Sequence, residues 1–221
     1  IYGQTISKEY NGPRIMTITK QQDPIASFYA DDSFFKRVTR EPAPQGIISV
    51  IPMPKTITGQ INYQARRTLV LFELSDPSNV GSLIRTATAL GWDQVVLAGR
   101  SSVDSTNPTI TRTSLGASLK IQTLARIEDP APLICFNRHI FLAEPAVSKE
   151  GLLDSTRASS DPICLVLGSE AHGLAGLPSN LRQKSRTISI PTNSHIVPCL
   201  NVAAAGAILM YHLRIPDQPD A

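Results

Sequence analysis

The feature that most constrains this 221-residue chain is the alternation of short apolar runs with helical patterns from Thr68 onward. The predicted strands cover residues 69–74, 94–98, 140–143, 163–167 and 188–190, and the predicted helices cover residues 80–90, 109–116 and 199–213. Strands that alternate with helices form a mostly parallel sheet with helices on both faces. We therefore expect an α/β fold whose ligand lies outside the carboxyl ends of the strands, in the loops after residues 74, 167 and 190.

The first 60 residues differ in composition from the rest of the chain. Residues 1–45 are polar and irregular, and one short β-branched strand, residues 47–51, precedes a proline-containing linker. We therefore expect an N-terminal segment over residues 1–60 and a larger domain over residues 61–221.

Composition excludes several classes of protein. With 42% hydrophobic residues the chain can bury a core, which excludes wholesale disorder. No apolar run reaches the roughly 18–20 residues of a membrane span, so we expect no membrane partner. The three cysteines form no C-x-x-C pair and the four histidines show no ligand spacing, so neither a disulfide framework nor a metal site is predicted.

Charge gives a weak indication of partner and compartment. The net charge of +3 is compatible with nucleic acid without being diagnostic of it. The chain begins at Ile1 with no initiator methionine, and arginine outnumbers lysine 14 to 7. From these two observations we expect an organelle, the mitochondrion, with the cytoplasm as the alternative.

The first informative loop follows the strand at residues 69–74. It contains Asn79, predicted as the helix N-cap, and Gly81, which allows close backbone approach. Arg85 lies nearly two turns along the same helix, so both polar side chains can face one cleft. A helix N-terminus beside an arginine suits a phosphate group, but a capped helix with a solvated arginine explains the pattern equally well.

The second loop follows the strand at residues 163–167. It contains Gly168, Glu170 and Gly173, and the glycines permit a sharp turn and the close approach of a flat ligand. A simple turn with a surface glutamate is the alternative. The spacing is not G-x-G-x-x-G, so the dinucleotide-binding fingerprint is absent.

The third loop connects the strand at residues 188–190 to the last helix. Cys199, Leu200 and Asn201 lead into a helix that is rich in small residues from Ala203 to Gly206, which permits tight packing. The alternative is a C-terminal core helix with Asn201 as its cap.

Together the three loops resemble the motifs of the SpoU branch of the SPOUT RNA methyltransferases, which methylate ribose 2′-hydroxyls. Residues 76–87 resemble D-P-x-N-x-G-x-x-x-R-T-A, residues 167–174 resemble L-G-x-E-x-x-G with a following hydrophobic residue, and the chain from residue 188 resembles I-x-I-P, a loop and S-L-N-V. Arg112, Ser114 and Gly116 match the segment that follows the first motif. The resemblance extends over residues 68–214. It implies that residues 1–60 hold a partial RNA-binding domain and a linker, and that residues 61–221 form the methyltransferase domain.

The resemblance implies a fold, a cofactor and an assembly. The fold would carry a C-terminal trefoil knot, and the enzyme would bind S-adenosylmethionine and need no metal. The residues implied to bind the cofactor are Gly168, Ile190, Leu200, Cys199 and Leu142. The chain would form a homodimer or a paralogous heterodimer.

The resemblance also implies the chemistry of methyl transfer to RNA, with ribosomal RNA as the expected substrate and a ribosomal subunit as a possible partner. Arg85 would fix a substrate phosphate and stabilise developing negative charge, because arginine stays protonated. Asn79, Glu170 and Asn201 would orient arginine, substrate and cofactor through hydrogen bonds.

Two departures from the family pattern keep other functions open. Cys199 stands where the family has serine, and the loop over residues 192–198 is about one residue longer than usual. A non-enzymatic RNA-binding or ribosome-assembly factor on the same scaffold is the second hypothesis. An unrelated nucleotide-binding α/β enzyme is the third, and the absent phosphate fingerprint disfavours it.

Overall fold

The computed structural model describes residues 16–19, 28–39, 43, 47–50, 52, 54–135, 139–145, 161–192, 196 and 199–215. The strands are β1 (Met16–Thr19), β2 (Phe28–Tyr29), β3 (Ile47–Val50), β4 (Ile57–Thr58), β5 (Arg67–Phe72), β6 (Gln94–Ala98), β7 (Thr123–Ile127), β8 (His139–Ala143), β9 (Ile163–Gly168) and β10 (Arg186–Ile188). The α-helices are α1 (Asp32–Thr39), α2 (Pro77–Ala89), α3 (Pro108–Thr113), α4 (Ser179–Lys184) and α5 (Val202–His212). Two 3₁₀-helices cover Ala117–Leu119 and Ala131–Cys135.

Seven strands form one sheet in the order β10-β8-β9-β5-β6-β7-β4. Every neighbouring pair in it is parallel; Leu71 of β5, for example, pairs with Leu167 on one side and Leu97 on the other. All six residues of β5 are buried, as expected for a central parallel strand covered on both faces. The predicted α/β fold with a mostly parallel sheet is confirmed.

Alternate side chains of the central strands enter two separate cores. Leu69 and Leu165 pack on the face that is covered by α2, α3 and α5. Val70 and Val166 pack on the other face, which α4 and the 3₁₀-helix Ala131–Cys135 cover. Helices therefore lie on both faces of the sheet, as the alternation of elements predicts.

Helix α2 begins one turn earlier than predicted. The Asp76 carboxylate accepts hydrogen bonds from the backbone amides of Ser78 and Asn79, at 3.0 and 3.3 Å, so Asp76 is the N-cap. The prediction that Asn79 caps the helix is wrong. Pro77 occupies the first helical position, where its missing N–H costs nothing, and this places the cap on the residue before it. The Asn79 side chain is thereby free for other contacts.

Helix α5 packs closely against α2 and β9 because Gly206 has no side chain. A Cβ at Gly206 would overlap the Leu83 side chain of α2 and come within 2.7 Å of Leu167 Cδ1 in β9. The small residues of this helix thus allow the tight packing that the sequence predicts. The helix starts at Val202, three residues later than predicted.

Three predictions about the chain's organisation stay predictions. The trefoil knot and the longer loop involve residues 193–195 and 197–198, which lie outside the described residues. The division at residue 60 also stays a prediction: β1, β2 and β3 form a separate small sheet, whereas β4 pairs with β7 in the large one.

None of the helices in the described ranges is long and apolar enough to cross a membrane.

Candidate functional site

Three loops meet where the carboxyl ends of β5 and β9 lie side by side. Phe72 at the end of β5 pairs with Gly168 at the end of β9, so the segments that follow both strands leave the sheet at the same edge. The N-terminus of α5 reaches this edge as well. Asn79, Glu170 and Asn201 are contributed by these three segments, and the structure brings them together.

The three side chains form a continuous chain of hydrogen bonds. Asn79 Nδ2 donates to Glu170 Oε1 at 2.5 Å, and Asn201 Nδ2 donates to Asn79 Oδ1 at 3.3 Å. Asn201 Oδ1 in turn accepts from the backbone amides of Ala203 and Ala204, at 2.8 and 3.4 Å, and so caps α5. Because each amide group has one donating and one accepting side, these contacts fix the orientation of both asparagines.

Arg85 lies apart from this chain of hydrogen bonds. Its side chain is exposed on α2, and within the described part of the chain it makes no hydrogen bond or ion pair. The sequence places it with the other three predicted catalytic residues, but the structure does not show it in contact with them.

A cavity of about 320 Å³ lies beside Glu170, between the carboxyl edge of the sheet and α5. Four of the five residues that were predicted to bind the cofactor line it: Gly168, Ile190, Cys199 and Leu200. The volume lies at the lower end of the roughly 300–1,000 Å³ that small-molecule sites span.

The fifth residue, Leu142, lies on the other side of the sheet. Its side chain is buried in the core on the opposite face of the sheet, and it is not among the described residues that line the cavity. Successive side chains of a strand point to opposite faces, so the next residue, Ala143, faces the cavity instead. The β8 residue that lines the cavity is therefore one position beyond the predicted one.

The turn after β9 is closed by the main chain itself. The amide of Gly173 donates to the carbonyl oxygen of Ser169 at 2.8 Å, and a Cβ at Gly168 would overlap the carbonyl group of Gly173. Glycine at position 168 is therefore required by this close approach. The result is a cavity wall made of backbone, which a flat ring can approach closely.

Sequence analysis missed the wall that follows β8, formed by Ala143, Glu144 and Pro145. No motif marks these residues. The rule that ligands lie beyond the carboxyl ends of parallel strands applies to β8 as well and could have identified the segment. Glu144 is joined to Arg182 of α4 by an ion pair of 3.0 Å.

Comparison with known proteins agrees with this geometry. Residues 66–211 match the model of the SpoU rRNA Methylase family. The chain is 30% identical over 191 residues, 86% of its length, to the 23S rRNA (guanosine(2553)-2'-O)-methyltransferase RlmP of Bacillus subtilis, of which it covers 73%. It is 32% identical over 154 residues, 63% of its length, to the mitochondrial rRNA methyltransferase 1 of Schizosaccharomyces pombe, of which it covers 48%.

Solved structures share the fold. An rRNA methyltransferase from Sinorhizobium meliloti superposes with a TM-score of 0.76 at 20% identity, covering 96% of this chain and 85% of that one. The SpoU methyltransferase AviRb from Streptomyces viridochromogenes superposes with a TM-score of 0.73 at 21% identity, covering 96% and 87%. The resemblance that the three motifs carry is confirmed, and this chain belongs to the SpoU rRNA methylase family.

Proposed function

We propose that this chain transfers a methyl group from S-adenosylmethionine to a ribose 2′-hydroxyl of RNA, with ribosomal RNA as the substrate. The observation that carries the proposal is the hydrogen-bonded chain of Glu170, Asn79 and Asn201, of which Glu170 lines the cavity. Three residues from three separate motifs converge there. The Bacillus subtilis relative, named for 2′-O-methylation of 23S rRNA, supports the choice of substrate.

The cavity residues fit S-adenosylmethionine. The walls are largely apolar around Ile190, Leu200 and Leu209, and the backbone at Gly168 forms one side. Such a cleft suits an adenosine group, because a flat ring packs on apolar side chains while nearby main-chain groups offer hydrogen bonds. When bound, S-adenosylmethionine supplies a methyl group on a sulfonium centre, which is a good leaving group.

The protein's part in the reaction is to position the substrate and to stabilise charge. The Asn79–Glu170 contact and the Asn201 cap hold three polar groups at fixed places beside the cavity. Arg85, exposed on α2, would contact an RNA phosphate near the reacting hydroxyl. Its planar guanidinium makes paired hydrogen bonds to phosphate oxygens, which a lysine cannot reproduce.

A dimer is part of the proposal. Helix α5 buries Leu209 and Met210 but leaves Ile208 and Tyr211 exposed, at 44% and 57%. With Ala204 these two residues form a continuous exposed face along the helix, which a second copy or a paralogue would cover. Light scattering at micromolar concentration should give a dimeric mass for the wild type and a monomeric mass for Ile208→Glu. A monomeric wild type would contradict this part of the proposal.

The relatives also bear on the compartment of the protein. We propose the mitochondrion, supported by the mitochondrial relative of Schizosaccharomyces pombe, with the bacterial relatives supporting the cytoplasm as the alternative. Imaging of the tagged natural protein in its own cells would decide between them.

Calorimetric titration with S-adenosylmethionine tests the cofactor and separates the enzyme from a non-enzymatic assembly factor. The proposal predicts saturable binding of one molecule per chain. A folded protein that binds ribosomal RNA but no S-adenosylmethionine would favour the assembly-factor hypothesis.

A further inference from the structure

Glu144 is a carboxylate in the cavity wall to which no motif assigns a role. It follows β8, and its backbone amide donates to the carbonyl oxygen of Ile188 in β10 at 3.1 Å. Glu144 and Glu170 are the two carboxylates among the described residues that line the cavity. Glu170 is engaged by Asn79, which leaves the function of Glu144 to be explained.

Arg182 holds the Glu144 side chain in place. Arg182 Nη1 donates to Glu144 Oε1 at 3.0 Å, while its Nη2 donates to the carbonyl oxygen of Leu174. Leu174 belongs to the turn that begins at Gly168, so one guanidinium joins the segments after β8 and β9. Both segments line the cavity. The two contacts use the fixed fork of the arginine, which restricts its orientation.

Among the described residues, this arrangement leaves one oxygen of Glu144 unused. Oε1 accepts from Arg182, and Oε2 has no hydrogen-bond partner in the described part of the chain. The Glu144 side chain is 35% exposed, so it is neither fully hydrated nor enclosed. An ionised carboxylate accepts only, so what it offers the cavity is an acceptor for a donor group of a ligand.

We infer that Glu144 is a cofactor-binding residue, whose free oxygen accepts a hydrogen bond from S-adenosylmethionine, and that Arg182 is a positioning residue that fixes it. The inference rests on the proposed function, because it takes the cavity to be the cofactor site. Three parts of S-adenosylmethionine carry suitable donors, namely the adenine 6-amino group, the ribose hydroxyls and the α-ammonium group. The chemistry is the same for all three, a donor on a ligand facing an ionised acceptor.

Calorimetric titration of Glu144→Ala and Arg182→Gln with S-adenosylmethionine tests the inference. Glu144→Ala should weaken binding about tenfold, the scale of one hydrogen bond to a charged group at a partly exposed site. Arg182→Gln should weaken it several-fold, and Arg182→Lys should restore part of the loss. If Arg182 acts through Glu144, the double variant should bind no more weakly than Glu144→Ala alone, because the two effects are not additive.

Arg126→Gln is the matched control. Arg126 also pairs with a glutamate, Glu128 at 3.6 Å, and with a main-chain oxygen, that of Ser102 at 3.4 Å, but it does not line the cavity. The affinity of the Arg126→Gln variant for S-adenosylmethionine should equal that of the wild type. Thermal unfolding of each variant shows whether a loss of binding reflects a loss of folded protein.

Titration with 5′-methylthioadenosine, which keeps the adenosine moiety and lacks the ammonium group, narrows the choice of donor. An equal loss of affinity for both ligands in Glu144→Ala points to the adenosine moiety, through its amino group or its ribose, and a loss for S-adenosylmethionine alone points to the ammonium group. Unchanged affinity for both ligands in folded Glu144→Ala would overturn the inference while leaving the proposed function intact. Failure of the wild type to bind S-adenosylmethionine would overturn both.

Discussion

The two ends of helix α5 are held in opposite ways. At its N-terminus, the exposed Asn201 caps the first amides and also donates to Asn79. At its C-terminus, two buried donors satisfy the last carbonyl groups. Arg67 Nε donates to the oxygen of Leu213 at 2.8 Å, and Trp92 Nε1 donates to that of Met210 at 3.4 Å. The first end faces the candidate site, and the second is enclosed in the core.

The buried end of α5 thus contributes to stability, and its exposed end contributes to the candidate site. Arg67 is 1% exposed and also donates to the carbonyl oxygen of Asp161 at 2.7 Å, so it ties α5 to the start of β9. Burial, with a smaller contribution from the charge of Arg66, lowers the pKa of Arg67 from its ordinary value. We infer that the buried end anchors the helix, so that its exposed end presents Asn201 at a fixed place.

The largest expected effect is at the functional end. Gly168→Val should abolish measurable binding of S-adenosylmethionine, because its Cβ would overlap the Gly173 carbonyl group that closes the cavity wall. Calorimetry measures the loss. Gly59→Val is the control, since a Cβ there meets no atom within 4 Å. Unchanged affinity in Gly168→Val would mean that the cofactor binds elsewhere.

At the buried end, Arg67→Met should lower the free energy of unfolding by about 3 kcal/mol. The carbonyl oxygens of Leu213 and Asp161 would lose charged donors in the core. Urea denaturation measures the change, and the exposed neighbour Arg66→Met serves as the control, with a change of at most about 0.5 kcal/mol. A loss below about 1 kcal/mol for Arg67→Met would refute the anchoring role.

Arg85 should affect catalysis without affecting stability. Arg85→Ala should slow methyl transfer by about 10²-fold, the scale of one lost charge-stabilising group. Affinity for S-adenosylmethionine should stay within a few-fold, and Arg85→Lys should recover little activity. Single-turnover assays with tritiated donor measure the rates, with exposed Arg100→Ala as the control. Wild-type rates in Arg85→Ala would remove this residue from the mechanism.

The smallest expected effect comes from a variant that separates the two contacts of Asn201, the cap of α5 and the hydrogen bond to Asn79. Asn201→Ser keeps a capping oxygen for α5 but loses the donor to Asn79, so we expect near-wild-type stability and about tenfold slower methyl transfer. Asn201→Ala should also lose about 1 kcal/mol of stability. Urea midpoints and single-turnover rates distinguish the two variants. Equal activity in Asn201→Ser and wild type would show that the contact with Asn79 is dispensable.

Much of the sheet could be predicted from the sequence, because buried parallel strands are continuous apolar runs. Residues 94–98 match β6 along their full length. Sequence analysis does not predict β7, because Arg126 interrupts its apolar pattern. It does not predict β4, because a strand of only two residues is too short to show a periodic pattern. The cap of α2 could have been placed correctly, since Asp76 directly precedes Pro77.

The candidate site was harder to predict from the sequence than the sheet. Asn79 and Glu170 are 91 residues apart, and no local pattern shows that they touch; the family resemblance supplied that link. The resemblance identifies the segment around Leu142, but strand alternation decides which side chain faces the cavity, and it turns Leu142 to the opposite face. Glu144 follows β8, Arg182 lies in α4, and neither matches a motif, so only the structure reveals their pairing.

The central claim is ribose methylation, and the position of the transferred methyl group tests it most directly. Purified protein would be incubated with tritiated S-adenosylmethionine and unmodified ribosomal RNA, and the RNA would then be hydrolysed in alkali. A methylated 2′-hydroxyl cannot attack the neighbouring phosphate, so our account predicts label in alkali-resistant dinucleotides. Label in mononucleotides, which indicates a methylated base, or unlabelled RNA from a protein that binds S-adenosylmethionine would contradict it.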